Sequence, residues 1–151
     1  AGGQGAAAAS CGAPRPVRLA SAPASANLVP MNAETPFIAA AEAILPDLVA
    51  LRRAIHREPE LGLHNPLTRE KILAALADLP IEWREGPSTT GLVGVLKGPA
   101  NGRTVLLRGD MDALPLTEDT GLDFASEHAG VMHACGHDSH VAMLAGAARL
   151  L

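Results

Sequence analysis

Residues 103–110 read Arg-Thr-Val-Leu-Leu-Arg-Gly-Asp, an apolar run that breaks off at a glycine and an acid. Its apolar residues are continuous rather than alternating, which predicts a strand buried on both faces. Such a strand needs a sheet covered on each side, and the flanks supply helices to cover it, so the fold class is α/β. Upstream, PFIAAAEAILPDLVALRRAIHREPE places Ile44, Leu48, Leu51 and Ile55 at helical spacing, with Arg52, Arg53 and Arg57 towards solvent. Pro46 either kinks this helix or sits in the first turn of its second half, and Pro59 stops it. Asn65-Pro66 predicts an N-cap and a first-turn proline for a second helix over 66–79, with Ile72, Leu73, Leu76 and Leu79 facing inward. After Pro80 the period changes. IEWRE and GLVGVLKG are strand candidates, GPANG is turn material, and residues 109–137 are loop-rich. VAMLAGAARLL (141–151) is helical, with small residues suited to close packing.

Residues 1–30 are low in complexity and carry no apolar periodicity, so they read as disordered or as a non-native leader, with Met31 as the natural start. Ala24-Ser25-Ala26 resembles a signal cleavage site, but a basic n-region and an apolar h-region are missing. Residues 31–151 then form the α/β unit. A formal net charge of -4 and 2% aromatic content give no electrostatic or stacking case for nucleic acid as a partner. No apolar run reaches the roughly 18 residues of a membrane span. Cys11 lies in a tail of Ala, Gly, Pro and Ser, whereas Cys135 lies among histidines. Two such cysteines make a poor disulfide framework, so Cys135 is expected to be a functional or metal-bound thiol in a reducing, cytoplasmic compartment.

Two stretches carry chemistry. In Gly109-Asp110-Met111-Asp112 the two acids follow the apolar run two residues apart, and an extended backbone sends such neighbours to one side. Paired carboxylates call for a cation, a shared proton or a hydrogen-bond donor; the plain alternative is a turn in which each caps backbone N–H groups. The second stretch is His133-Ala134-Cys135-Gly136-His137-Asp138-Ser139-His140. A bend at Gly136 can turn thiolate and imidazole to one point, a donor set for Zn²⁺, Ni²⁺, Co²⁺ or Mn²⁺ rather than Ca²⁺ or Mg²⁺. Asp138 and Ser139 read as N-caps of the following helix, whose terminus would favour the Cys135 thiolate and disfavour a bare cation, so further anionic ligands are needed. His133 and His137 could share a helix face as in a His-Glu-x-x-His site, but Gly136 intervenes and no Glu follows His133. A Cys–His–Asp nucleophile needs no metal but leaves so many imidazoles unexplained. Taken singly, His56, His64 and His128 read as capping or packing residues.

RRAIHREPELG (52–62), RGDMDALP (108–115) and TGLDFASEHAGVMHACGHDSH (120–140), in that order, resemble the amino-terminal third of the aminoacylase/carboxypeptidase-like metal-dependent amidohydrolases. That group includes hippurate hydrolases, auxin-conjugate hydrolases and N-acetyl-diaminopimelate deacetylases. The resemblance runs from about Pro36 to Leu151. It implies the incomplete amino-terminal part of a dinuclear-metal hydrolase catalytic domain, with the lid domain absent. It further implies hydrolysis of N-acyl amino acids by metal-activated water, with two divalent ions per intact enzyme, the N-acyl amino acid as small-molecule partner and a homo-oligomer as an expectation for the intact enzyme. Cys135 and His137 match metal ligands, and Asp112 matches an active-site aspartate expected to orient a ligand or the water through a hydrogen bond. Asp110 stands where other branches carry a metal-binding histidine, and His56 matches a motif histidine without an assigned role. His133 and His140 are further candidates for supporting or substrate-facing roles.

The pattern departs from the family at Leu63-His64, where an aromatic and an acidic residue are common, and at His128-Ala129, which precedes Gly130 where Pro is frequent. The family's general-base glutamate, its remaining ligands and its lid follow the stretch matched here, so the 151 residues alone are expected to be inactive. Two other readings compete: a small module in which Cys135, His137 and His133 or His140 hold one structural ion, and a metal-free cysteine hydrolase.

Overall fold

The helical spacing that begins at Pro36 is realised as one long helix, α1 (Pro36–Arg57), in a computed structural model that describes residues 36–98 and 102–151. The expectation for residues 1–30 lies outside the described residues. Helix α1 runs unbroken through Pro46, although that residue cannot donate the helical hydrogen bond. Its apolar stripe deepens along the chain, from half-buried Ile44, Leu48 and Leu51 to fully buried Ile55. His56 and Arg57 close the last turn, where cations favour the helix dipole, and Pro59 follows.

Helix α2 (Pro66–Ala75) opens on its first-turn proline and ends four residues before the expected limit, in turns over 76–78. Asn65 does not cap it with its side chain. Glu60 takes that role: its two carboxylate oxygens accept from the N–H groups of Leu67, at 3.1 Å, and Thr68, at 2.8 Å. A carboxylate reaching back from the preceding turn satisfies two orphan donors and complements the dipole, which a single amide oxygen cannot do as well. Of the expected inward set, Leu76 is buried, while Ile72, Leu73 and Leu79 are half-buried.

Strands β1 (Ile81–Glu85) and β2 (Leu92–Leu96) pair antiparallel, with Ile81 opposite Leu96 and Trp83 opposite Gly94. The Trp83 ring covers Gly94 so closely that a Cβ there would stand 2.8 Å from it. Helix α3 (His137–Leu150) packs mainly on α1, through buried Val141, Ala142, Ala145 and Gly146. At Gly146 a Cβ would meet the tip of Leu48 at 2.7 Å, so the glycine permits this approach. Arg149 ties the end of α3 to the end of α2, donating to the Ala75 carbonyl at 2.6 Å and to Asp78 at 2.8 Å.

The expected doubly buried strand over 103–110 is not formed. Val105 is 75% exposed and Leu106 89% exposed, and among the described residues no strand pairs with this segment. An apolar run states a demand for burial, but a strand also needs neighbours for its N–H and C=O groups, and β1 and β2 pair only with each other. The lower end of the segment is nonetheless fixed, because Gly109 lies against the His140 backbone of α3, where a Cβ would stand 3.1 Å from its carbonyl oxygen. Beyond it, Ala113 donates to the Glu60 carbonyl at 2.7 Å, and Leu114 exchanges backbone hydrogen bonds with Met132. Glu127 donates to the Arg57 carbonyl at 2.8 Å. The long loop is thus stitched to the end of α1. No described helix is long and apolar enough to cross a membrane.

Candidate metal centre

Gly136 sits at φ 88°, a left-handed conformation open to glycine, and turns the chain so that α3 begins at His137. The His137 ring meets the segment that Ala113 anchors. Its Nδ1 lies 2.9 Å from Asp112 Oδ1 and 2.9 Å from the Asp112 carbonyl oxygen. A carbonyl oxygen can only accept, so Nδ1 carries a proton, and in the neutral ring Nε2 keeps its lone pair. That is the tautomer a metal ligand needs, held by a carboxylate behind it.

On its open side His137 Nε2 stands 3.9 Å from Asp110 Oδ2, and His140 Nδ1 stands 3.5 Å from the same oxygen. Asp110, His137 and His140 are half-buried, and each offers a ligand atom within 4.8 Å of the others. One carboxylate and two imidazoles, converging without direct hydrogen bonds at those spacings, fit a divalent transition ion. Arg108 pairs with the other oxygen of Asp110 and restrains the carboxylate from the solvent side.

The remaining residues from the sequence reading divide around this cluster. Cys135 is free and exposed, and it is not part of the Asp110–His137–His140 group; Cys11 lies outside the described residues. No imidazole among the described residues is hydrogen-bonded to Cys135, so the structure assembles no thiol–imidazole pair there. His133 is buried with no partner for either ring nitrogen. Burial pushes its imidazole below the ordinary histidine range, with the Asp138 carboxylate pulling the other way. His56 is buried beside it, ring centroids 6.2 Å apart, and does not join the Asp110 group.

Sequence reasoning missed three of the groups around His56. Asp138, expected as a helix cap, makes no capping bond and is entirely buried. Its Oδ2 lies 2.8 Å from His56 Nδ1 and accepts from Arg52 Nε at 2.9 Å. His56 Nε2 lies 3.2 Å from Glu118 Oε1, and the other Glu118 oxygen accepts from the Ser126 N–H at 2.7 Å. Burial acts to raise the Glu118 pKa, but the Thr120 hydroxyl, the Ser126 N–H and His56 together hold it below the usual glutamate range. The arginines of α1 reach solvent as expected but also make contacts: exposed Arg53 lies over the Phe124 ring at 4.7 Å, and half-buried Arg57 donates to the Asp123 carbonyl at 3.3 Å. The available signal was Arg52 and His56 at i and i+4, two donors stacked on one helix face that a carboxylate could bridge.

Residues 106–151 match the model of peptidase family M20/M25/M40. The chain is 49% identical over 105 residues to thermostable carboxypeptidase 1 of Saccharolobus solfataricus, covering 69% of this chain and 27% of that protein. It is 41% identical over 104 residues to an N-acyl-L-amino acid amidohydrolase of Geobacillus stearothermophilus, covering 69% and 28% respectively. The solved structure of the Bacillus subtilis YXEP protein, a dinuclear metal-binding peptidase of the M20 family, superposes with TM-score 0.68 at 41% identity, covering 73% of this chain and 31% of that one. This chain belongs to the M20/M25/M40 peptidase family. It matches the amino-terminal part of M20 proteins and spans about a quarter of the length of the curated relatives named here. The M20 match includes Asp110, Asp112, Cys135, His137 and His140, the stretch that carries the cluster.

Proposed function

We propose that this chain carries the amino-terminal half of a dinuclear metal centre in an amidohydrolase that cleaves the amide bond of N-acyl amino acids. The observation that carries the reading is the His137 contact with Asp112, which leaves Nε2 open towards Asp110 and His140. The names of the relatives supply the substrate class: one is an N-acyl-L-amino acid amidohydrolase, another a carboxypeptidase.

His137 would hold a metal through Nε2, joined by Asp110 and His140 on one side and by the Cys135 thiolate from the preceding turn. A bound divalent pair would supply a Lewis acid that makes water acidic near neutral pH and polarises a carbonyl. The chain's own residues orient and neutralise. Asp112 keeps the Nδ1 proton of His137 in place and strengthens the ring as a donor. Asp110 brings negative charge against the positive end of α3, so that a cation meets a carboxylate as well as a helix dipole. Arg108, which pairs with Asp110 at its solvent edge, would offer a positive partner to a substrate carboxylate.

The full-length protein, purified with a divalent metal, is expected to release free amino acid from N-acetyl amino acids or hippurate, to lose that activity to a chelator and to regain it on adding Zn²⁺, Mn²⁺, Co²⁺ or Ni²⁺. Hydrolysis that survives complete metal removal would refute the reading.

A further inference from the structure

We propose that His56 is a positioning residue for His137, acting through Asp138. The inference rests on the metal reading of His137 given above. Asp138 follows His137 in the first turn of α3 and has no solvent exposure. Its Oδ2 is held from α1 by two donors one helical turn apart, Arg52 Nε at 2.9 Å and His56 Nδ1 at 2.8 Å. The second nitrogen of His56 faces Glu118, which is itself held by Thr120 and the Ser126 N–H. One ring therefore joins α1, the 118–126 loop and the entry of α3.

The geometry of α3 explains why such a clamp matters. The small-residue face around Ala142, Ala145 and Gly146 lets α3 lie close to α1, but small side chains leave little to stop it turning about its own axis. Side-chain tips lie about 5–6 Å from a helix axis, so a rotation of ~10° carries a ligand atom about 1 Å. Metal coordination tolerates only about 0.2 Å. Asp138, one residue from His137, fixes the rotation at the position where the error would be felt most. Both of its donors come from α1, so the register of His137 against Asp112 is set from α1 as well as from the loop.

The two contacts of His56 can be separated. Asparagine presents an N–H near the position of Nδ1, towards Asp138; glutamine presents one near Nε2, towards Glu118. The test is a Co²⁺ titration of the metal-stripped full-length protein, followed by the visible absorption of the bound ion, for wild type, His56→Asn and His56→Gln, with a urea midpoint for each. The expected result is Co²⁺ affinity within about threefold of wild type for His56→Asn and about 10- to 100-fold weaker for His56→Gln, with an altered cobalt spectrum. The urea midpoints are expected not to rank the two variants in that order. Equal affinities in the two variants, or affinities that simply follow the midpoints, would overturn the inference while leaving the metal reading intact. A wild-type protein that binds no Co²⁺ would overturn the metal reading and this inference with it.

Discussion

The Nδ1 atom of His137 lies 2.9 Å from both the side-chain and the main-chain oxygen of Asp112, so one residue fixes the tautomer of another. Replacing Asp112 with Ala removes the carboxylate and keeps the carbonyl. The ring keeps its tautomer but loses half of its restraint, and metal affinity is expected to fall about 10- to 100-fold. Isothermal titration with Zn²⁺ measures it; an unchanged affinity would mean that the carboxylate does not support the ligand.

Gly109 is the contact point between the Asp110 segment and α3. A Cβ there would stand 3.1 Å from the His140 carbonyl oxygen and 3.3 Å from its carbon, and backbone atoms cannot swing aside as a side-chain tip can. Gly109→Ala is expected to cost about 1–3 kcal/mol of stability and to weaken metal binding by moving Asp110 away from His140. Gly146→Ala meets only the flexible end of Leu48 and gains helix propensity, so it is expected to be close to neutral. Denaturant melts of the two variants side by side decide whether that distinction holds.

Glu118 gives the protein an acid-sensitive element. Its folded pKa is lowered, so the unfolded chain takes up the proton first as the pH drops. The contribution is therefore fully present above the ordinary glutamate value of 4.5 and is lost as pH falls through the lower folded value. Glu118→Gln is expected to flatten the stability profile in that range. Urea midpoints from pH 3 to 8 provide the check.

Val105, Leu106 and Leu107 form an exposed apolar run, and Met143 of α3 is 63% exposed near its end. A surface of that kind favours association. The 151-residue chain is expected to self-associate as concentration rises, and Leu106→Lys to reduce that association while changing stability by no more than about 0.5 kcal/mol. Light scattering on both versions tests it; a monodisperse wild-type monomer at high concentration would contradict it.

Much of this arrangement was legible before any coordinates. The 3.6-residue spacing around Ile55 reports α1, and the shift in period after Pro80 reports β1 and β2, because both patterns are local and reinforced by punctuating prolines. Residue chemistry and order pointed to Cys135 and His137 as ligands, with Asp112 as an active-site acid and Asp110 and His140 in supporting or substrate-facing roles, whereas the structure groups Asp110 and His140 with His137 and leaves Cys135 outside that group. What remained hidden depends on partners distant in the chain. Asp138 reads as a cap because that is the commonest use of an Asp beside a helix start, and only the fold brings Arg52 and His56 to it. Glu60 displaced Asn65 as the cap of α2 because the chain turns back on itself between them. The 103–110 run shows the limit from the other side: it encodes apolar faces, but the neighbours that would make it a strand are not encoded in its own residues.

The account stands most directly on the metal content of the full-length protein, measured by mass spectrometry on wild type and His137→Ala after exhaustive dialysis. It predicts two divalent ions per wild-type chain and a clear loss in the variant. A wild-type protein that is hydrolytically active without bound metal, or a His137→Ala variant that retains the full complement, would contradict it.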